Sequence, residues 1–332
     1  MGHKGKGWRF GALLVLGLAV AIPSTEGFSQ VVKLNYGGTS ASSWQYVYCV
    51  AMTKAINDQV PEVRVTNMET SASVENARLL HRGDIDFGNI TIDIAYRMAN
   101  GVEDFKGMKN QTLRQLWCWS ILPHTVFVTK ESGITSIYQL TGKKFAAGFT
   151  GSDTEFITFK LFEANEIKPA WFRGGLAALV DAVKNRQLLG YVKSGGPDPS
   201  VQDIASLIPI TLLPIPDEAL AKGNALFPGR FTRANVKARS YPGQEGEIPS
   251  YPVIPCDIAT TRLSEDLGYK MCKAIYQARE KLAKSIKYAE VFLDFPQSAL
   301  IGSIPVHAGL YKLCKEMGVK VPEHLIPPEA KR

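Results

Sequence analysis

The sequence lacks the short motifs that commonly identify an enzyme or a metal site. It contains no G-x-S-x-G, no H-E-x-x-H and no Gly-rich stretch that ends in the G-K-[ST] of a phosphate loop. Its histidines, among them His81, His124, His307 and His324, are isolated from other metal-ligating residues. We therefore predict no catalytic residue, no metal and no cofactor. A secreted enzyme remains the alternative.

Cysteine is scarce as well, with 5 in 332 residues, and no two stand at the spacing of a redox motif or a zinc site. Cys49 and Cys118 lie in apolar surroundings, which predicts buried free thiols. An exported chain can form disulfides, and any pairing among Cys256, Cys272 and Cys314 stays open at this point.

Positive charge exceeds negative charge, with a formal net charge of +7, but no block of Lys or Arg occurs. This scatter argues against nucleic acid as a partner. A weak preference for anionic ligands is compatible with the charge.

Long apolar runs are also missing, with one exception near the N-terminus. Lys4, Lys6 and Arg9 precede an apolar run over 10–22. That run is short for a bilayer span and typical of a secretory h-region. We predict a signal peptide over residues 1–29 and a periplasmic location for the rest. An uncleaved membrane anchor is the alternative.

What the chain does contain is a repeated order of strand, small polar loop and helix. The clearest instance runs from a β-branched strand at 31–34 through the loop 35–43 into a helix that extends to about Asn57. Gly37 and Gly38 allow a sharp turn and a close approach to a ligand. Ser42 or Ser43 is a natural N-cap, and the helix start can hold a carboxylate. A plain capped turn is the competing interpretation.

Similar loops follow the predicted strands at 63–68, 85–90, 145–149 and 188–192. A ligand carboxylate would bind the amides of 39–43 or of 151–154, and hydroxyl groups and the Asn89 amide would add directed bonds. Lys193 either pairs with the carboxylate or is solvated, and Asp93 either binds a ligand amine or serves the first turn of its helix. The candidate ligand-binding residues are Gly38, Thr39, Ser40, Ser42, Ser43, Trp44, Asn89, Thr91, Asp93, Thr150, Gly151, Ser152, Thr154, Lys193 and Ser194.

Strands that alternate with helices predict an α/β fold built of βαβ units. A proline-rich return over 208–255 separates the second set of units from a helical C-terminal part. We predict two lobes with a ligand cleft between them: residues 30–123 and 254–332 form lobe 1, and 124–253 form lobe 2. Ligands in such sheets bind beyond the carboxyl ends of the strands.

Five blocks, in order, carry a resemblance to a known family. They are Gly37-Gly38-Thr39, the segment Glu69-Thr70 with 73–80, the segment 83–88, Gly151-Ser152-Asp153-Thr154-Glu155, and Tyr241-Pro242-Gly243-Gln244. In these blocks the chain resembles the TAXI class of solute-binding proteins of TRAP (tripartite ATP-independent periplasmic) transporters. It departs from that family at Ser43 and Gln45, where the family has an aromatic residue and a proline.

The resemblance implies a two-lobed, type II periplasmic-binding-protein fold. It also implies capture of a small organic acid or amino-acid-like ligand of the glutamate, glutamine or 2-oxoglutarate type, and delivery to TRAP permease subunits. We expect a monomer whose lobes close about hinge strands near 122–126 and 252–258. An exported sensory accessory protein would share this fold and is a further alternative.

Overall fold

The computed structural model describes residues 1–3, 5, 31–227, 230–286 and 289–331. Nearly all of the predicted signal peptide lies outside these residues. Contacts divide the chain into Met1–Gln30 and Val31–Arg332, and the helices and strands of the described residues all belong to the second unit. Within the described residues, no helix has the length and apolarity needed to cross a membrane.

The strands, in chain order, are β1 (Val32–Gly37), β2 (Val63–Met68), β3 (Phe87–Thr91), β4 (Leu113–Cys118), β5 (Leu122–Thr129), β6 (Lys144–Phe145), β7 (Ala170–Trp171), β8 (Val192–Ser194), β9 (Ile210–Leu212), β10 (Ala234–Val236), β11 (Ile248–Ser250), β12 (Pro252–Val253) and β13 (Pro255–Thr260).

The α-helices are α1 (Gln45–Gln59), α2 (Ser73–Arg82), α3 (Ile92–Asn100), α4 (Asp153–Ala164), α5 (Leu176–Lys184), α6 (Pro199–Leu207), α7 (Asp217–Leu226), α8 (Glu265–Ser285) and α9 (Ala308–Glu316). Short 3-10 helices lie over Glu103–Phe105, Lys130–Ser132, Ile137–Leu140, Glu290–Asp294, Gln297–Ile301, Glu323–Leu325 and Pro328–Lys331.

The first lobe is built on a five-stranded sheet with the order β2-β1-β3-β13-β4. Strands β1, β2 and β3 are parallel, whereas β13 is antiparallel to β3 and β4. Helices α1, α8 and α9 share one apolar core with the sheet, and α2 and α3 share another. Because β1, β2 and β3 are parallel, the loops that follow them lie at one edge of the sheet.

The second lobe is built on a sheet with the order β12-β5-β8, in which β9 also pairs with β5. The parallel pair β6 and β7 joins it through a bridge between Ala146 and Tyr191. Helices α4 and α7 contribute to one core of this lobe, and α5 and α6 contribute to another. The observed architecture is thus α/β and two-lobed, as predicted.

The chain passes between the two sheets at two adjacent places, from β4 to β5 and from β12 to β13. Pro252 pairs with Pro123 there, and a disulfide joins Cys118 to Cys256. The prediction of a free thiol at Cys118 is therefore wrong, because the antiparallel register of β4 and β13 sets it opposite Cys256. Cys49 is buried and free, as predicted.

The predicted start of one helix needs correction. Helix α1 begins at Gln45 after Trp44 and has no side-chain cap, and the amide of Ser43 donates to the carbonyl of Ser40. Neither Ser42 nor Ser43 is its N-cap. Helix α4 begins at Asp153, with Ser152 as its cap. Thr91 caps α3.

Candidate functional site

Loops from the two lobes contact one another at the carboxyl ends of the strands. The indole Nε1 of Trp44 donates to the carbonyl of Ser194 over 3.5 Å. The side-chain amide nitrogen Nε2 of Gln45 donates to the Ser194 hydroxyl over 3.4 Å. A second contact joins the amide of Val74 to the carbonyl of Gly151 at 3.3 Å. The structure therefore brings Trp44, Gly151 and Ser194 of the predicted set to the junction of the lobes.

Several polar atoms in the first lobe are buried without a hydrogen-bond partner within the described part of the chain. Among them are the hydroxyl of Thr39, the amide oxygen of Asn89 and the indole Nε1 of Trp119. The side chain of Asn67, which lies beside Gly38, is unpaired in the same way. Buried polar groups in folded proteins are nearly always paired, so unpaired atoms of this kind are candidates for contact with a bound solute.

An aromatic group surrounds one of these atoms, the indole nitrogen of Trp119. The Trp119 ring contacts both Trp44 and Tyr48. Trp119 stacks on Tyr48 with ring centroids 4.0 Å apart and meets the edge of Trp44 at 5.9 Å. This packing fixes the direction of the Trp119 N–H, because a stacked ring inside a close-packed core has little room to turn.

Lys193 is a buried cation of the second lobe and is 1% exposed, which rules out the solvated alternative. Its ammonium lies 3.3 Å from a carboxylate oxygen of Asp198 and donates to the carbonyl of Ser194 over 3.1 Å. Asp198 caps α6, and its amide donates to the hydroxyl of Tyr241. Lys193 therefore has its position fixed by protein groups of its own lobe.

Thr154 lies in the first turn of α4 and contacts the crossing strand β5. Its hydroxyl lies 3.2 Å from Nε2 of His124, and Nδ1 of His124 lies 2.9 Å from the carbonyl of Tyr251. Since a carbonyl can only accept, Nδ1 carries the proton and Nε2 accepts from Thr154. Burial lowers the pKa of His124 to about 3, so the imidazole is neutral at pH 7.

The amides that were predicted to hold a carboxylate are partly used within the protein. The amide of Ala41 donates to the Glu69 carboxylate over 2.7 Å, and the amide of Gly151 donates to that of Glu155 over 3.2 Å. Of the other candidates in these loops, Ser42 and Thr150 are exposed and Ser40 is half-buried. These two helix starts therefore already have anions, which are supplied by the chain itself.

Asp93 and Thr91 take part in contacts between the lobes. Asp93 pairs with Arg97 at 2.8 Å and with Arg230 at 3.0 Å, so both of its oxygens have cationic partners. The hydroxyl of Thr91 donates to the Asp153 carboxylate over 2.8 Å. A cavity of about 380 Å³ lies next to these groups and also reaches strand β12.

Several of these residues have no counterpart in the predicted set, namely Asn67, Trp119, Asp198, Arg97 and Arg230. Asn67 stands at the end of a predicted strand, and Trp119 stands just before Pro123, which breaks a β-rich stretch. Either position points to a strand end, where a polar atom can reach a ligand. The arginines carry no comparable signal, because Arg97 lies inside α3 and Arg230 lies outside the helices and strands given above.

The solved structures that align with this chain include two sulfonate-binding proteins. The alkanesulfonate-binding protein SsuA from Xanthomonas axonopodis pv. citri, bound to MOPS, is 16% identical over 91% of this chain and 98% of its own, with a TM-score of 0.49. The periplasmic aliphatic sulphonate binding protein SsuA from Escherichia coli is 15% identical over 87% of this chain and 80% of its own, with a TM-score of 0.47. These identities are too low for any residue role to be transferred.

A family match covers most of the chain. The model of the NMT1-like family aligns with residues 37–318, from the first loop of the cleft to the end of helix α9. The match includes every candidate ligand-binding residue. The chain therefore belongs to the NMT1-like family.

Proposed function

We propose that this chain is an extracytoplasmic solute-binding protein. In this proposal its signal peptide is removed, and the periplasmic chain captures a small organic acid or amino-acid-like anion of the glutamate, glutamine or 2-oxoglutarate type. It then delivers that solute, unaltered, to a TRAP membrane permease. The chain acts as a monomer and catalyses no reaction.

The observation that carries the proposal is the set of unpaired buried groups in the first lobe, of which Trp119 contacts Trp44 at the junction of the lobes. Thr39, Asn89 and Trp119 are each 4% exposed or less, and each has a polar atom without a protein partner. Leaving such an atom unpaired costs about 1–3 kcal/mol. A solute that pairs with several of them recovers that free energy, and a solute without matching groups does not.

The chemistry of these groups favours an anion that also carries a donor. Thr39 and Trp119 offer an O–H and an N–H, and Lys193 supplies a buried positive charge in the facing lobe. Asn89 offers an acceptor, which suits an amine or amide of the same solute. We assign the acidic end of the solute to the donors and its nitrogen to Asn89.

Closure of the two lobes is part of the proposal. We retain the division into 30–123 with 254–332 and 124–253, with hinge strands near 122–126 and 252–258. The pairing of Pro123 with Pro252 supports this division, because both connections between the sheets run side by side there. Two adjacent connections allow a hinge rotation with few broken contacts.

The binding test uses L-glutamate, L-glutamine and 2-oxoglutarate in a thermal-shift screen followed by calorimetry. We expect one-to-one binding of at least one compound. Thr39→Val keeps the shape and removes the hydroxyl, so it should weaken that binding about tenfold, which corresponds to about 1.4 kcal/mol. The control is Thr53→Val, whose hydroxyl donates to the Cys49 carbonyl within the first lobe. Equal affinity of Thr39→Val and wild type, or turnover of a bound compound, would overturn the proposal.

The transport part needs a separate test. A TRAP permease encoded beside the gene of this chain is reconstituted in vesicles, and uptake of the bound compound is followed with and without the chain. We expect uptake only when the chain is present. Uptake that is indifferent to the chain would favour the sensory alternative.

A further inference from the structure

Two arginines and four carboxylates meet where the first lobe contacts the second, beside the strands that connect the lobes. We call this set, together with one phenylalanine, the arginine cluster. Its members are Asp93, Arg97, Glu103 and Asp104 of the first lobe and Asp153, Phe156 and Arg230 of the second.

The contacts across the junction are reciprocal, since each lobe gives an arginine to a carboxylate of the other. Arg97 of α3 pairs with Asp153 of α4 at 3.2 Å. Arg230 of the second lobe pairs with Asp93 at 3.0 Å and with Glu103 at 3.4 Å. The Thr91 hydroxyl adds a hydrogen bond to Asp153. These pairs exist only while the lobes are together.

The ring of Phe156 ties the two arginines to α4. The guanidinium carbon of Arg97 lies 3.5 Å from the ring centroid, and that of Arg230 lies at 5.5 Å. Such contacts stabilise a cation by about 0.5–2 kcal/mol, and more when water is excluded. The Arg97 contact crosses the junction, so it is lost together with the ion pairs when the lobes separate.

The two arginines differ in the carboxylate partners that they retain when the lobes open. Arg97 retains Asp93 at 2.8 Å and Asp104 at 3.0 Å, which belong to its own lobe. Arg230 forms both of its ion pairs with the first lobe, and within its own lobe it keeps only a weaker electrostatic interaction with Asp153 among the residues that the structure describes. Opening therefore costs the cluster mainly the pairs of Arg230, and the buried Arg97 is never left without a carboxylate.

The charge balance makes the closed state depend on these arginines. Within the described ranges, four carboxyl groups face two guanidinium groups. Asp93 and Asp153 come from opposite lobes, and burial together with the nearby Asp93 raises the pKa of Asp153. Removing Arg230 takes away an attraction and leaves Arg97 alone to offset the repulsion between Asp93 and Asp153.

We propose that the arginine cluster is a latch that holds the two lobes closed without any solute, with Arg230 supplying most of the contacts that opening breaks. Thr91 and Asp93, which the sequence placed in the ligand site, belong to this latch. One consequence, which rests on the proposed function, is that the latch slows the release of every solute to the same degree and does not choose among solutes.

The test needs no solute, so its failure would leave the proposed function standing. The full chain is unfolded, washed and refolded to remove bound compounds, and its radius of gyration is measured by small-angle X-ray scattering. We expect Arg230→Gln to give a larger radius of gyration than wild type. Arg239→Gln is the matched control, because Arg239 lies in the same lobe and its ion pair with Glu245 is exposed.

Hydrogen exchange at the start of α4 gives a second readout. We expect it to be roughly tenfold faster in Arg230→Gln than in wild type, the factor that corresponds to about 1.4 kcal/mol. Phe156→Leu keeps an apolar side chain and removes only the ring, so it should change both readouts in the same direction. If Arg230→Gln does not fold, Phe156→Leu decides the question. If the folded variants have the radius of gyration and the hydrogen-exchange rate of the wild type, the proposal of a latch is wrong.

Discussion

The indole ring of Trp44 lies directly over Gly195, although the two residues come from different lobes. A Cβ added at Gly195 would stand 2.6 Å from ring carbon Cζ2 of Trp44. The backbone of Gly195 also has a φ of +76°, which side-chain-bearing residues rarely adopt. The contact between the lobes at this place therefore requires glycine for two separate reasons.

Gly195→Ala should prevent the lobes from meeting as they do in the wild type. A methyl group at 2.6 Å from an aromatic carbon is well inside van der Waals contact, and the Trp44 indole is held in an edge contact with Trp119. We expect a larger radius of gyration and at least a tenfold loss of affinity for whichever compound the wild type binds. Scattering and calorimetry on the variant measure both effects.

A control for backbone strain is available in the same lobe. Gly243 has a φ of +77°, and nothing lies within 4 Å of an added Cβ there. Gly243→Ala should lose about 1–2 kcal/mol of unfolding free energy, as Gly195→Ala does through strain alone, but it should keep wild-type scattering and affinity. If the two variants behave alike, the contact with Trp44 has no part in closure.

The buried pair Lys193 and Asp198 should matter for stability whether or not it contacts a solute. Lys193→Met leaves a carboxylate in the interior without its cation, which costs about 3–5 kcal/mol. Lys193→Met/Asp198→Asn should recover part of that loss, since asparagine can still cap α6. Urea unfolding of the wild type and these variants measures the difference.

The matched control is an exposed pair in the same lobe. Lys184 and Asp203 form an ion pair in which the side chains are 30% and 53% exposed. Lys184→Met should change the unfolding free energy by less than about 1 kcal/mol. If Lys193→Met changes the unfolding free energy by an equally small amount, burial does not strengthen the ion pair between Lys193 and Asp198.

The disulfide between Cys118 and Cys256 can be checked by counting thiols. All five cysteines of the chain lie in the described residues, and Cys49, Cys272 and Cys314 are free. The denatured, unreduced protein should therefore react with three equivalents of a thiol reagent, and with five after reduction. The double variant Cys118→Ser/Cys256→Ser should lose about 2–5 kcal/mol of stability. Five reactive thiols before reduction would contradict the assignment.

The local sequence pattern was sufficient to predict several helices and strands of the first lobe. The pattern at 63–68 predicted β2, and the order of strand, small polar loop and helix over 31–57 predicted β1 and α1. These features depend on neighbours within a few residues. The start of α1 was misplaced because Ser43 turns back on Ser40, a local bond that residue type does not disclose.

The structural features that the sequence pattern could not predict depend on contacts between residues that are distant in the chain. Cys118 and Cys256 are 138 residues apart and meet only because β13 inserts between β3 and β4. Arg97 meets Asp153 only once the lobes are in contact. Asp93 illustrates the consequence: its sequence position left open a ligand amine or a role in the first turn of its helix, and its two arginine partners became visible only in the structure.

Asp257 should make stability depend on pH. It lies on strand β13, is fully buried, and accepts a hydrogen bond from the Tyr48 hydroxyl, while Trp117 donates to that same hydroxyl. Tyr36 and the Cys49 thiol are the other titratable groups beside it. Among the described residues no lysine or arginine pairs with it. Burial therefore raises the pKa of Asp257 to about 7 from an ordinary value of 3.8.

The direction of this pH dependence follows from the proton that Asp257 keeps in the folded state. Between about pH 4 and pH 7 the folded chain holds a proton on Asp257 that the unfolded chain has lost, so stability falls as the pH rises through this window. A pKa change of about three corresponds to about 4 kcal/mol. Asp257→Asn mimics the protonated acid, so its stability relative to wild type should rise by up to that amount between pH 4 and pH 8. Urea unfolding at both pH values measures this, with the exposed Asp58→Asn as the control, and a constant difference between Asp257→Asn and wild type would refute it.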